Sequence, residues 1–127
     1  MATRPRDPSE DQIHVAVAEY LTLALPVEVW WSSIEHRNAR SGKEGADRKG
    51  RGVKAGIPDI LFCWCGRMHA IELKTRTGSL KGPQIAQRAA LLQAGARWAL
   101  CRSLDDVIAK LREWEIPTRM EVRWCQN

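Results

Sequence analysis

The stretch from Ile57 to Lys74 constrains the fold most strongly, because it predicts a β-hairpin. Two apolar runs, Ile57–Trp64 and Met68–Lys74, flank a short turn, Cys65-Gly66-Arg67. Side chains alternate between the faces of a strand, so Glu72 and Lys74 should share one face while Leu73 points to the other. Folding at the turn also brings Asp59 level with Glu72. Two acids and a lysine are therefore expected to converge at one end of a sheet.

Helices and further strands are predicted on both sides of this hairpin, from periodicity and capping residues. They are a helix from the N-cap Ser9 to about Pro26, a strand Val27–Ile34, a helix from Gly82 to about Ala94, a strand Arg97–Cys101, a helix from Ser103 through Trp114, and a further edge strand Met120–Trp124. The main order, α-β-β-β-α-β-α, predicts one α/β domain over residues 1–127, with a mixed central β-sheet flanked by helices. Residues 1–8 are expected to form a flexible N-terminus. The 44% hydrophobic content of the 127-residue chain suffices for one core.

A basic, glycine-rich segment at residues 36–56 is expected to be a long mobile loop. It holds seven basic and two acidic residues, so it carries the whole net charge of +5. Such a local cationic stretch favours a polyanion such as nucleic acid, although a merely solvated loop explains the charge equally well. The candidate nucleic-acid-binding residues are Arg37, Arg40, Lys43, Arg48, Lys49, Arg51 and Lys54.

The cysteine pattern favours reduced, mostly buried thiols over disulfides or zinc. Cys63 and Cys65 are spaced C-x-C inside a predicted strand, whereas structural zinc sites use longer spacings in tight turns. Cys101 and Cys125 complete the set. The chain also lacks an apolar run of about 18 residues and an apolar secretory signal, so we expect a cytoplasmic protein without membrane contact.

The converging side chains match what phosphodiester hydrolysis requires. A hard cation such as Mg²⁺ takes carboxylate oxygens as ligands, which Asp59 and Glu72 would supply. Lys74 could orient the attacking water and stabilise charge in the transition state. The alternative is a solvated Glu72–Lys74 pair on a strand, with Asp59 in a turn.

In this context the sequence resembles the VRR-NUC family of the PD-(D/E)xK nuclease superfamily. The similar segments are Gly-Ile-Pro-Asp at 56–59, Ile-Glu-Leu-Lys at 71–74, the turn that follows, and Gln84 at the start of a helix. Looser similarity extends over about residues 9–112. The resemblance implies a restriction-endonuclease-like core and a Mg²⁺- or Mn²⁺-dependent endonuclease, acting on branched DNA such as Holliday junctions as a homodimer. It implies metal ligation by Asp59, Glu72 and the Leu73 carbonyl, and catalytic roles for Asp59, Glu72, Lys74 and Gln84.

Four further features complete the sequence-based hypotheses. At 100° per residue, Glu10 lies on the helix face of Ile13 and Val17, which makes it a candidate metal ligand; a helix-dipole acid is the alternative. His14 stands where the family often has Gln, and we expect it at the surface or behind the ligands. His36 and Asn38 could contact phosphate or cap a turn. The tryptophans are expected to pack in the core or a dimer interface rather than stack on bases.

Three other functions compete with the DNA endonuclease. A binding module would keep the basic loop without catalysis, and a protein-interaction domain would use exposed tryptophans as a partner surface. A nuclease of the same fold could instead act as a restriction-type enzyme or on RNA. Metal-dependent cleavage and salt-dependent binding separate these hypotheses.

Overall fold

Eight elements build the protein, whose computed structural model describes residues 4–36, 40–121 and 125. In chain order they are α1 (Glu10–Ala24), β1 (Trp30–Ser33), α2 (Gly42–Gly50), β2 (Ile60–Trp64), β3 (Arg67–Leu73), α3 (Gly82–Gln93), β4 (Arg97–Cys101) and α4 (Leu104–Glu113). The predicted α/β class, with a mixed sheet flanked by helices, is confirmed. The predicted element order lacks only α2.

The four strands form one sheet in the order β1-β2-β3-β4. β1 and β3 both run antiparallel to β2, whereas β4 runs parallel to β3 after the crossover through α3. In the β2–β3 hairpin Ile60 pairs with Ile71, so the next residues outward, Asp59 and Glu72, oppose each other. The predicted hairpin and its register are confirmed.

One face of the sheet is covered by α1 and α4, which also contact each other. Ser9 caps α1 in the predicted capping box: its hydroxyl accepts from the Gln12 N–H, and the Gln12 side chain accepts from the Ser9 N–H. The apolar stripe of α1 is buried against strand side chains such as Ile71. The start of α1 is thereby held at the edge of the sheet where β3 ends.

The opposite face carries α3, which contacts β4. The Arg88 guanidinium lies 5.5 Å from the ring centre of Trp98, and Trp98 is paired with Ala70 in the sheet. No residue of α3 is fully buried. The helix is therefore an outer layer of the fold.

Residues 36–56 do not form the predicted continuous loop, because α2 occupies Gly42–Gly50. Ser41 caps the helix by accepting from the Glu44 N–H, and the Glu44 carboxylate lies 2.8 Å from the Arg48 guanidinium. A side-chain cap and an i,i+4 ion pair stabilise short helices without help from a core. None of the residues of α2 is buried.

Two predicted strands are shorter in the structure. β1 begins at Trp30 because Val27 and Glu28 lie in a turn, in which the Val29 N–H donates to the Pro26 carbonyl. β2 begins at Ile60 rather than Ile57. Pro58 has no N–H to donate to a strand ladder, which explains the later start. In the predicted strand 120–124, Met120 lies in a turn and Glu121 in a bend, and residues 122–124 lie outside the described part of the chain.

The expectation of reduced thiols is wrong for two of the four cysteines. Cys65, in the β2–β3 turn, forms a disulfide with Cys125, while Cys63 and the buried Cys101 are free. Before that crosslink the chain returns to α1, where Arg119 donates to the carbonyls of Ala24 and Leu25. The disulfide removes the cysteine argument for a cytoplasmic protein, since such bonds are typical of oxidising compartments. Within the described residues no helix has both the length and the apolar character to cross a membrane.

The described tryptophans divide between core packing and the surface. Trp114 is buried, and Trp31 and Trp64 pack against the core from its margin. Trp98 is half-buried beside Arg88, whereas Trp30 is exposed. Trp124 lies outside the described residues. Core packing is thus confirmed for three of the six.

Candidate functional site

The outer end of the β2–β3 hairpin holds an acid pair. Asp59 precedes β2 and Glu72 lies in β3, at opposing positions of the ladder. The Leu73 N–H donates to Asp59 Oδ2 at 2.7 Å, which fixes the carboxylate in place. This bond engages one oxygen of Asp59 and leaves Oδ1 directed toward other partners.

A third carboxylate reaches the same point from α1. Glu10 is the first residue of the helix and is exposed. Glu10, Asp59 and Glu72 each offer an oxygen, and the three oxygens lie within 4.8 Å of one another. The capped helix start therefore brings Glu10 to the acid pair, as its helix face predicted.

Lys74 follows β3 directly and is buried with only 5% of its surface exposed. Its Nζ lies 3.9 Å from Glu10 Oε1 and 4.0 Å from Glu72 Oε1. A buried ammonium is costly unless negative charge lies nearby, and the Glu10 carboxylate is within ion-pair distance. Glu72 and Lys74 thus share one side of the strand, as the alternation predicted.

Gln84 orients Glu72 from the first turn of α3. Its Nε2 donates to Glu72 Oε1 at 2.8 Å, while its Oε1 accepts from the Lys81 N–H at 2.9 Å. The second bond fixes which end of the amide faces the carboxylate. Gln84 therefore acts on the site through Glu72.

The Glu72 carboxyl is an unusual group to bury. It is 2% exposed, and its Oε2 accepts no hydrogen bond from the residues that the structure describes. Burial, reinforced by the nearby Asp59 carboxylate, raises the pKa of Glu72 to about 8. With that pKa the free carboxyl is mostly protonated at neutral pH, and a bound cation would favour its charged form, so the arrangement is suited to a cation.

These groups line an open cavity of about 570 Å³, which we call the acidic cavity. It also contains Asp11, Glu35, Leu73 and Lys81. Three converging carboxylate oxygens are the ligand type that Mg²⁺ and Mn²⁺ prefer, and water and phosphate could fill the remaining positions. The donor set fits a hard divalent cation.

Two histidines at this cavity had no definite role in the sequence analysis. His36 Nε2 lies 3.4 Å from Asp59 Oδ1, and His14 Nε2 lies 2.9 Å from the Ser33 hydroxyl. His36 is brought there because the Ile34 N–H donates to the Asp59 carbonyl at the end of β1. The sequence signal was the position of His36 just after a strand, which does not reveal its neighbour across the sheet.

A second cavity, of about 620 Å³, adjoins the acidic cavity along the wall formed by Ile34, Glu35 and His36. We call it the cationic cavity, because four of the predicted nucleic-acid-binding residues line it: Arg48, Lys49, Arg51 and Lys54. Arg40 and Lys43 are exposed outside this lining, and Arg37 lies outside the described residues. A concentrated positive surface therefore borders the carboxylate cluster.

Comparison of the chain with protein-family models, with curated proteins and with solved structures finds no match. The resemblance of residues 56–84 to VRR-NUC nucleases stays a prediction. What the site can do follows from its own groups, which are three carboxylates, a buried ammonium and an adjoining positive surface.

Proposed function

We propose that the protein is a divalent-metal-dependent endonuclease that hydrolyses phosphodiester bonds in DNA. The observation that carries the proposal is the convergence of Glu10, Asp59 and Glu72 oxygens within 4.8 Å, beside the buried Lys74 ammonium. The second support is the buried Glu72 Oε2, which accepts no hydrogen bond within the described part of the chain. The hairpin, the site at its end and the parallel fourth strand also fit the restriction-endonuclease-like core that the sequence resembles.

Each group has a defined part in this reaction. Glu10, Asp59 and Glu72, with the Leu73 carbonyl, would hold Mg²⁺ or Mn²⁺, which polarises the phosphodiester and lowers the pKa of a bound water. Lys74 would orient that water and stabilise negative charge on the phosphate. Gln84 and the Leu73 N–H hold Glu72 and Asp59 in orientation.

Cleavage assays with matched variants test the proposal. Labelled linear, flap and four-way-junction DNA are incubated with Mg²⁺, with Mn²⁺ or with EDTA. We expect metal-restored cleavage, preferentially of the four-way junction. Lys74→Met and Asp59→Asn should lower the rate at least about 100-fold with DNA binding retained. Asparagine at 59 can still accept from the Leu73 N–H, which preserves the local fold.

The control and the contrary outcomes are equally defined. Glu19→Gln removes an exposed carboxylate from the same helix as Glu10, and its cleavage rate should match the wild type. Full activity in either site variant would end the catalytic assignment. DNA binding without cleavage would establish the binding module, and cleavage of RNA alone would change the substrate.

Metal binding has a readout that does not depend on activity. Mn²⁺ at 100 times its dissociation constant should stabilise the folded protein by about 2.7 kcal/mol, seen as a higher melting temperature. Glu72→Gln should abolish this shift, because it removes a charged ligand while leaving an amide of the same shape. An equal shift in wild type and variant would exclude Glu72 as a ligand.

The proposed active unit on branched DNA is a pair of chains, because cutting two strands symmetrically needs two active sites. Light scattering of the free protein and of its complex with a four-way junction measures the mass directly. Symmetric double-strand cleavage by a species of 14.4 kDa would contradict this part of the proposal.

A further inference from the structure

A third cavity is lined by residues that directly precede or follow lining residues of the acidic cavity in sequence, at the start of α1 and after Lys74. It measures about 600 Å³ and is lined by residues 6–9, Gln12 and residues 75–77. We call it the N-terminal cavity. Its lining residues are sequence neighbours of those of the acidic cavity. Glu10 and Asp11 of the acidic cavity lie between residues 9 and 12, and Lys74 directly precedes residue 75. It shares no lining residue with the cationic cavity.

The side chains of the N-terminal cavity suit a phosphate group. Arg6 and Arg76 supply guanidinium donors, and Ser9, Thr75 and Thr77 supply hydroxyls. Arginine presents several N–H donors in a planar fork that matches phosphate oxygens. The one carboxylate in the lining, Asp7, lies 3.0 Å from Arg76 Nε and pairs with it.

Hydrogen bonds from Arg102 fix the backbone of the loop that carries Arg76. Arg102 Nη1 donates to the carbonyls of Thr75, Arg76 and Gly78 at 2.7, 3.3 and 2.6 Å. The Gly78 N–H donates to the Thr75 hydroxyl at 3.1 Å, which closes the turn. Arg102 is therefore a positioning residue. The loop begins next to Lys74, so these bonds fix the backbone of Arg76 two residues after a residue that lines the acidic cavity.

We propose that the N-terminal cavity binds a backbone phosphate of the same nucleic-acid strand whose scissile phosphate enters the acidic cavity. Arg6 and Arg76 are the phosphate ligands, and Asp7 holds Arg76 in the free protein. The strand then crosses from the cationic cavity over the carboxylates to the N-terminal cavity. Repulsion by the carboxylates is offset by cations at both ends of this path. The inference rests on the proposed function, of which it names a second binding surface.

The inference is tested by substituting each partner of the Asp7–Arg76 ion pair, because the two changes should alter DNA affinity in opposite directions. Fluorescence anisotropy measures the affinity for labelled four-way-junction DNA over a salt series, with Ca²⁺ replacing Mg²⁺ to prevent cleavage. Arg76→Gln and Arg6→Gln should each weaken binding about 5- to 10-fold and lower the salt slope by about 1. Asp7→Asn should tighten binding, because it releases Arg76 and removes a negative charge. If the Asp7–Arg76 pair served only the structure, Asp7→Asn and Arg76→Gln would both weaken DNA binding.

Kinetics and a matched charge control complete the experiment. Arg112→Gln removes an exposed arginine that lines none of the three cavities, and it should leave affinity within about 2-fold. In single-turnover cleavage, Arg76→Gln should raise the half-saturating protein concentration while the maximal rate stays near wild type.

The outcomes separate this inference from the proposed function. Metal-dependent cleavage by the wild type, with unchanged affinity in Arg6→Gln and Arg76→Gln, overturns the inference alone. Weaker binding in both Arg76→Gln and Asp7→Asn also overturns it. Absence of metal-dependent cleavage in the wild type overturns the proposed function, and the binding series then still decides whether this cavity holds phosphate.

Discussion

At Glu72 and Lys74 the chain keeps two ionisable side chains almost wholly out of water. Each is less than about a tenth exposed, and the Glu72 Oε2 has no partner among the described groups. Replacing such a pair by apolar side chains is often neutral or stabilising in proteins. The fold alone does not explain these residues, whereas the proposed cation would offset the buried charge of Glu72. Strongly perturbed groups in a cavity are a physical sign of function.

His69 provides a pH-dependent test of the core on the other face of the sheet. It is buried against Trp114, with ring centres 5.1 Å apart. Burial, with help from the Arg97 charge, lowers the pKa of His69 to about 4. The imidazole takes up a proton near pH 6.5 in the unfolded chain but only near pH 4 in the folded protein. The stability that the neutral, buried His69 contributes is therefore complete above pH 6.5 and is lost as pH falls toward 4. The loss amounts to about 3 kcal/mol.

The variant His69→Leu should remove this contribution to acid sensitivity. Urea denaturation at intervals from pH 7.5 to pH 4.5 gives the free energy of unfolding for both proteins. All other titrating groups are shared, so the difference between the two curves isolates His69. Parallel curves over the whole range would show that the buried imidazole is not responsible.

Alternation in strands and periodicity in helices predicted which side chains meet at the site. Asp59 opposes Glu72 because a short hairpin fixes the register, and Glu10 follows from its angle on α1. His36 and Arg102 could not be found in this way. Their partners lie across the sheet or 24 to 27 residues away in sequence, and no local pattern encodes such contacts.

At the scale of elements, the start of α3 is placed by its contact with Gly56. A Cβ built on Gly56 would lie 2.3 Å from the backbone carbonyl of Pro83 and 2.7 Å from the Gln84 nitrogen. The φ angle of +82° also favours glycine. The close packing of Gly56 against the start of α3 matters for the site. Gly56 lies three residues before Asp59 and packs against Gln84, which orients Glu72.

Gly56→Ala should therefore destabilise the protein and weaken cleavage. Gly95, which ends the α3 region at a φ of +96° with no atom near its Cβ position, offers the matched control. Gly95→Ala should cost about 1–2 kcal/mol from backbone strain alone. Gly56→Ala should cost at least about 2 kcal/mol more, because backbone atoms must move apart. Urea denaturation and single-turnover cleavage measure both effects, and equal losses in the two variants would contradict the close approach.

The elements that sequence patterns missed are those without an apolar face. α2 contains three glycines, each of which disfavours a helix by about 1 kcal/mol, and it buries none of its residues. Only its cap and ion pair signal a helix, and both patterns also occur in loops. The helices with buried stripes, α1 and α4, were predicted because core packing imposes a period on the sequence.

Over the whole molecule, the candidate site and the disulfide lie at opposite ends of one hairpin. Asp59 and Glu72 are at the open end of β2 and β3, whereas Cys65 is in the turn that joins them. The intervening ladder pairs Ile60–Trp64 with Arg67–Ile71 and is covered by the core. Stability and catalysis are therefore expected to respond separately to changes at the two ends.

Loss of the Cys65–Cys125 disulfide should lower stability while sparing cleavage. The bond joins residues 60 positions apart, and a crosslink of that span stabilises a domain by about 2–4 kcal/mol, chiefly through the unfolded chain. Cys125→Ser should lower the melting temperature to that of reduced wild type, and a reductant should cause no further loss in the variant. Cleavage at a temperature where both proteins are folded should be unchanged, because the ladder separates the turn from the carboxylates.

Thiol titration of the denatured wild type should find two free thiols without reductant and four with it. Four without reductant would show that the crosslink does not form, and reduced cleavage by the folded variant would show that the two ends of the hairpin are coupled.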